Sequence, residues 1–234
     1  MIKKYFNYKN YRKKDLEKKM QIMGVYPLDI MVTGVTGAGK STTMNSLFEK
    51  YVAKVGKDVE PETVDLISYE LNKVIRFWDT PGLGDGISQD KKHAKKIIDL
   101  LHKTYIIDDT EYGWIDLVLV IIEGINRDMG TTYKLINDII IPNFQSERIL
   151  IAVNQCDVAM KGRHWNYTKN KPDNILKDFL LNQTQSIKRR IKEATGIDII
   201  LPIYYSAEYG YNIDKFLDLV IDNIPIERRE KYIK

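Results

Sequence analysis

"MVTGVTGAGKSTTMNSLFEK", residues 31–50, decides the fold. An apolar stretch runs into a glycine-rich turn, and the turn opens a helix. Gly34 to Ser41 has the phosphate-loop spacing: a glycine, four residues, then Gly-Lys-Ser. Gly34, Gly37 and Gly39 leave the loop amides free to ring an anion, and the helix beginning near Lys40 adds its positive N-terminal end. Lys40 supplies a point charge for the β and γ phosphates, and the Ser41 hydroxyl is a ligand for Mg²⁺. Thr36, Ala38 and Thr42 complete the expected phosphate contacts. The loop predicts a nucleoside triphosphate with its Mg²⁺ and leaves the base open.

On either side of this loop, apolar runs and helical stretches alternate. Strands are expected at 28–33, 64–70, 73–78, 115–122, 148–153 and 199–205, and helices at 40–50, 90–103, 131–141, 172–195 and 212–223. The second and third strands, joined tightly at Leu71-Asn72, read as an antiparallel pair. Pro142 stops one helix, Pro172 suits the first turn of the next, and Gly196 ends it. Pro202 puts the last strand at the sheet edge. A polar insertion fills 161–171. Strands alternating with helices imply a mostly parallel sheet covered on both faces, an α/β fold in three layers.

Three further stretches choose the base. The strand ending in Phe77-Trp78 runs into Asp-Thr-Pro-Gly at 79–82, where Asp79 is placed to hold Mg²⁺ and the Gly82 amide to reach a γ-phosphate. The strand at 148–153 ends in Asn-Gln-Cys-Asp, residues 154–157. Asp157 can accept two hydrogen bonds from the N1 and N2 donors of guanine, a pair that adenine lacks. The last strand runs into Ser206-Ala207, where a backbone amide meets guanine O6. All four motifs fall at the C-terminal ends of strands, where open α/β sheets bind ligands. The expected ligand is GTP or GDP.

These residues resemble the Era-like class of translation-factor-related P-loop GTPases, and most of all a bacterial, often prophage-associated family of 50S ribosome-binding GTPases. The likeness runs over about residues 25–224 and includes "WDTPGLGDG" (78–86), "IDLVLVIIEGINRDMGT" (115–131), "NQCDVAMKGRHW" (154–165) and "IKEATGIDI" (191–199). It implies a six-stranded sheet with one antiparallel edge strand, an Mg²⁺ cofactor and a GTP-controlled switch cycle.

Two positions depart from the usual pattern. Gln155 stands where a lysine stem normally covers the base. Leu83 follows Gly82, where a Ras-type enzyme has a water-positioning glutamine. A leucine cannot orient water, so hydrolysis would rely on Mg²⁺, Lys40, backbone amides and a group from a partner or second copy. The switch threonine that senses the γ-phosphate and ligates Mg²⁺ is Thr63, with Ser68 the alternative inside the strand. Segments 52–63 and 83–92 are the expected moving switches.

Other residues read more plainly. His93, in "KKHAKK", is expected on a solvated basic helix face, with proton transfer as the alternative. Arg127 is a loop residue by default and an arginine finger toward a neighbouring copy by the sharper reading. Arg163, His164 and Trp165 suggest an exposed aromatic-basic loop for a partner. Cys156 is close to the base without chemistry of its own. Trp78 and Trp114 are expected in the core.

The 234-residue chain suits one domain with a full core. Its single cysteine excludes an internal disulfide, and its longest apolar runs are strand-length, so no transmembrane segment is expected and the reading is cytoplasmic. Residues 1–20 carry eight Lys/Arg against Asp15 and Glu17, a balance of +6. The expected organisation is a partly helical basic arm at 1–24, a GTPase domain at 25–224 and a tail at 225–234. The arm either packs on the domain through its apolar side or contacts RNA, the ribosome or an anionic membrane. Three functions follow in order: a slow GTPase switch; a guanine-nucleotide-responsive module with negligible turnover, activated by dimerisation or a partner; and, distantly, an ATP-dependent kinase.

Overall fold

The computed structural model describes residues 8–24, 26–48, 67–124 and 129–230. Thr63, Arg127 and the segment 52–63 lie outside them. The arm forms helix α1 (Lys13–Met23), followed by strand β1 (Leu28–Thr33) and helix α2 (Lys40–Leu47). Then come β2 (Ile67–Asn72), β3 (Ile75–Asp79) and α3 (Ile87–His102). A hairpin, β4 (Thr104–Ile107) and β5 (Thr110–Gly113), precedes β6 (Leu117–Glu123). Helix α4 (Gly130–Lys134) continues as a wider π-helical segment, Leu135–Ile140, and leads to β7 (Ile149–Asn154). A two-residue pair, β8 (Trp165–Asn166) and β9 (Lys171–Pro172), is followed by α5 (Asn174–Thr195), β10 (Ile203–Tyr204) and α6 (Ile213–Asp222).

Six strands form one sheet in the order β10-β7-β6-β1-β3-β2. All neighbours are parallel except β2 against β3, which places the antiparallel strand at one edge. The apolar runs of β1, β6 and β7 are buried on both faces, as a parallel sheet between two helical layers requires. Alternate residues divide between two cores. Ile30, Leu119 and Ala152 pack with α1, α2 and α6, whereas Met31, Val120 and Ile151 pack with α3, α5 and the π-helical segment. The β10 strand sits at the far edge, as Pro202 suggested.

Three local expectations differ. The β2–β3 turn lies at Lys73-Val74 instead of Leu71-Asn72, because a bulge between Glu70 and Asn72 carries the strand onward while Leu71 stays buried. Helix α5 begins at Asn174, because Pro172 pairs in β9 and the Asp173 carboxylate accepts the Leu176 amide at 3.0 Å as N-cap. The β4–β5 hairpin had no counterpart in the periodicity reading. Its turn, Asp108-Asp109, holds both residues at positive φ (48° and 62°), the geometry of a tight hairpin.

The described part of the arm, residues 8–24, is built into the molecule. Leu16, Met20 and Met23 are buried in the same core as β1 and α6. The Arg12 guanidinium reaches Asp218 at 2.8 Å and Asp222 at 2.7 Å, and the Tyr11 hydroxyl donates to Asp218 at 3.0 Å.

Candidate functional site

The C-terminal ends of β1, β3, β6 and β7 open together, and the loop 34–39 lies across them. Gly34, at φ +153°, is a steric requirement: a Cβ there would stand 2.3 Å from the Ile121 carbonyl oxygen. That approach seats the loop against β6 and points it at a cavity of about 610 Å³. Gly37, Gly39, Lys40, Ser41 and Thr42 line the cavity on one side, and Asp79 through Gly82 on another.

Lys40 is the first residue of α2, and its ammonium lies 3.3 Å from the carbonyl oxygens of both Gly34 and Val35. Burial lowers its pKa, opposed by Asp79 and Asp85. The cation is thus held over the loop by carbonyls and faces acidic groups, a position from which it can move onto an anion. Asp79 ends β3 with a buried Oδ1 that has no hydrogen-bond partner among the described residues. Burial raises its pKa, and Lys40 opposes the shift. A buried carboxylate oxygen without a donor is costly unless a cation takes it. With the Ser41 hydroxyl lining the same cavity, the donors are a carboxylate and an alcohol, all oxygen and sparse. Among the described residues no group of three His, Cys, Asp or Glu gathers elsewhere. This donor set fits Mg²⁺, which completes its shell with water and phosphate oxygens.

The Asp-Thr-Pro-Gly loop is fastened to the phosphate loop. The Thr36 amide donates to the Leu83 carbonyl at 2.8 Å, and the Thr36 hydroxyl donates to Asp85 at 3.0 Å. Gly82 packs so closely that a Cβ would meet the Thr36 nitrogen at 2.6 Å. Asp90 accepts the Gly84 and Asp85 amides at 2.8 and 3.2 Å, closing the turn into α3. The Leu83 side chain is buried with Met31 and Ile97 in the second core, so it has no access to the cavity.

At the other end of the site, Asn154 braces two loops. Its Nδ2 donates to the Ala38 carbonyl and its Oδ1 accepts the Ala207 amide, both at 3.0 Å. Gln155, at φ +61°, donates from Nε2 to the Gly37 carbonyl at 2.8 Å and so spans from the base motif to the phosphate loop. Asp157 is buried, and its Oδ1 has no partner among the described residues. It is a second orphaned acceptor. Ser206 is fully buried; its amide donates to Tyr211 at 3.0 Å and its hydroxyl accepts the Tyr209 amide at 3.2 Å. The amides of Ser206 and Ala207 are therefore both engaged within the protein, where the sequence reading had one meeting a guanine oxygen.

The remaining candidates scatter. Ser68 is buried in β2, paired opposite Trp78, and does not line the cavity. Cys156 is buried among Trp165, Leu176 and Leu180, and burial raises its pKa. Trp165 belongs to that same cluster and His164 bonds Asp173 at 2.8 Å, whereas Arg163 stays exposed, so of the expected aromatic-basic loop the tryptophan alone is buried. Trp78 and Trp114 are half-buried and meet edge to face, with ring centroids 6.1 Å apart.

His93 is where sequence reasoning missed most. It is half-buried, lines the cavity, and its Nδ1 lies 2.6 Å from the Gly82 carbonyl oxygen. The signal was periodicity. His93 stands four residues before Ile97, and Ile97, Leu100 and Leu101 form the buried stripe of α3.

Residues 29–155 match the family described as 50S ribosome-binding GTPase. The chain belongs to that family. The matched span contains the motifs at 34–41 and 79–82 and ends inside the one at 154–157. Among curated proteins, Translocase of chloroplast 126 from Physcomitrium patens is 35% identical over 77 residues, 32% of this chain and 6% of that protein. Neuronal-specific septin-3 from Danio rerio is 33% identical over 85 residues, 31% of this chain and 24% of its own length. Both matches thus span a minor part of the relatives. Among solved structures, Toc33 from Arabidopsis thaliana in complex with GDP and Mg²⁺ superposes with a TM-score of 0.59 at 17% identity, covering 99% of this chain and 100% of that one. Era from Aquifex aeolicus bound to GDP and aluminium fluoride gives a TM-score of 0.52 at 16% identity, covering 86% and 58%. These likenesses establish a shared fold.

Proposed function

We propose that this chain is a guanine-nucleotide-binding switch of the Era-like class that hydrolyses GTP slowly to GDP and phosphate. The observation that carries the reading is the pair of buried carboxylate oxygens without partners among the described residues, Asp79 Oδ1 at the end of β3 and Asp157 Oδ1 in the turn after β7. Asp79 suits a cation beside the phosphates, with Ser41 and Thr63 as further ligands. Asp157 suits the two ring-edge donors of guanine. Asn154 holds the base motif, the phosphate loop and the Ala207 loop in one arrangement.

Bound Mg²⁺ would supply charge neutralisation between the β and γ phosphates. The chain's own residues do the rest. Lys40 and the loop amides offset charge developing on the β–γ bridge, the Gly82 amide faces the γ-phosphate, and Thr63 reports its presence. Loss of the γ-phosphate then frees segments 52–63 and 83–92 from those contacts.

A second reading, a nucleotide-responsive module with negligible turnover until it pairs, is favoured by the burial of Leu83. One solved relative carries the statement that dimerization is important for the GTPase activity of the chloroplast components Toc33 and Toc159. A nucleotide-dependent homodimer is accordingly the partner proposed here, in a cytoplasmic setting. Ribosome or RNA contact through the arm rests on its basic residues and on the family's description. Single-turnover GTP hydrolysis with Mg²⁺, measured across a range of protein concentrations, separates the readings. A rate constant independent of concentration supports the solitary switch, a rising one supports pairing, and absent guanine-nucleotide binding removes both.

A further inference from the structure

We propose that His93 is a catalytic residue of this site, supplying the water contact that Leu83 cannot make. The inference rests on the GTPase reading above. A carbonyl oxygen only accepts, so the 2.6 Å contact to Gly82 assigns the proton to Nδ1. In the neutral ring this leaves Nε2 as an acceptor, and among the described residues it has no hydrogen-bond partner. The ring forms part of the cavity wall, and it is held by the very residue whose amide is placed for the γ-phosphate.

The other acceptors around the cavity are less suitable. Asp79 is the cation ligand. Asp85 is engaged by the Thr36 hydroxyl, and its negative charge would repel an anionic phosphate. Leu83 is fixed in the core, and its carbonyl is taken by the Thr36 amide. In its neutral form His93 offers an acceptor on the side of Gly82, and its helix α3 is anchored through Ile97 and Leu100 in the second core. A helix-borne imidazole thus takes the place of a loop-borne glutamine.

In the step, the water oxygen forms a bond to the γ-phosphorus while the bond from that phosphorus to the β–γ bridging oxygen breaks. The electron pair of the broken bond stays on the β-phosphate of GDP. Nε2 accepts a hydrogen bond from the attacking water and aligns its lone pair with the phosphorus; the water's proton finishes on the released phosphate.

Two substitutions divide the roles of the two ring nitrogens. His93→Asn keeps a donor near the Nδ1 position and removes the acceptor at Nε2. His93→Gln places an amide oxygen near the Nε2 position. Under single turnover with saturating GTP and Mg²⁺, His93→Ala and His93→Asn should each slow hydrolysis by about tenfold to a hundredfold, at the lower end of proton-handling contributions. His93→Gln should recover most of the wild-type rate. GDP affinity should stay near wild type in all three. Wild-type turnover in His93→Asn, or a Gln variant as slow as Ala, would overturn the assignment and leave the ring as a tether for Gly82. Wild-type protein that binds GDP yet never hydrolyses GTP at any concentration overturns it as well. Failure to bind GDP would instead remove the nucleotide reading on which it stands.

Discussion

Under the proposed function, Asp157 would carry the base preference. Its buried Oδ1 has lost water and has no donor among the described residues, so guanine's N1 and N2 groups would restore what folding removed. Asp157→Asn keeps the size and exchanges one acceptor for a donor. GDP affinity should fall at least tenfold, about 1.4 kcal/mol, and xanthine nucleotides should compete better. Equilibrium titration with fluorescent GDP and XDP checks both. Leu83 is the contrasting case, a residue that borders the chemistry but belongs to the core. Leu83→Ala should lower stability by about 2–4 kcal/mol in urea unfolding, through a cavity beside Met31 and Ile97. The rate of the chemical step, measured under single turnover, should change less than threefold.

Strand β1, its following loop and α2 form the element that carries the proposed phosphate loop. The loop lies flat because Gly34 rests on the β6 backbone at Ile121. Gly34→Ala adds a methyl group where a backbone oxygen already stands, and backbone cannot yield as a flexible side chain does. GDP binding should weaken by more than tenfold, about 1.4 kcal/mol, while circular dichroism shows the sheet retained. The same element is tied to the last strand through the Thr43 hydroxyl, 2.7 Å from the fully buried Tyr205 hydroxyl. Phosphate and base loops are therefore coupled through both Asn154 and this buried pair.

At the scale of the whole molecule, a buried polar group sits at the end of the sheet opposite the cavity. Asp29, Arg76 and Trp78 form one bonded group, with Arg76 Nε and Trp78 Nε1 each 2.6 Å from Asp29 Oδ1. Next to them Asp116 accepts the Asp29 amide at 2.9 Å, and burial raises its pKa from 3.8 to about 7. Between those two values the folded protein retains a proton that the unfolded chain has released. Stability therefore falls as pH rises from about 4 to about 7, and Asp29 and Asp79, also raised by burial, act in the same direction. Asp116→Asn should reduce the loss between pH 5 and pH 8 by ~2 kcal/mol, read from urea midpoints. The buried side of the arm makes a second global claim. Leu16→Ala should cost about 2–5 kcal/mol of stability, measured by denaturant unfolding, and leave GDP affinity near wild type.

From sequence alone, the loop at 34–41, the aspartates at 79 and 157 and the alternation of strands and helices were legible. Each is local: spacing along one chain fixes which residues fall at a strand end, and apolar runs are buried on both faces wherever a parallel sheet is covered twice. The β4–β5 hairpin was legible only through the Asp-Asp turn, since four-residue strands show too little periodicity. Tertiary structure decided what depends on contacts between distant segments. It took Trp165 out of solvent, engaged the Ser206 and Ala207 amides, and joined the basic arm to α6 through Arg12 and Tyr11. It also turned His93 toward Gly82, because the buried stripe of α3 continues one turn beyond its apolar residues into the cavity. A histidine between lysines reads as solvated until the sheet on which its helix packs is in place.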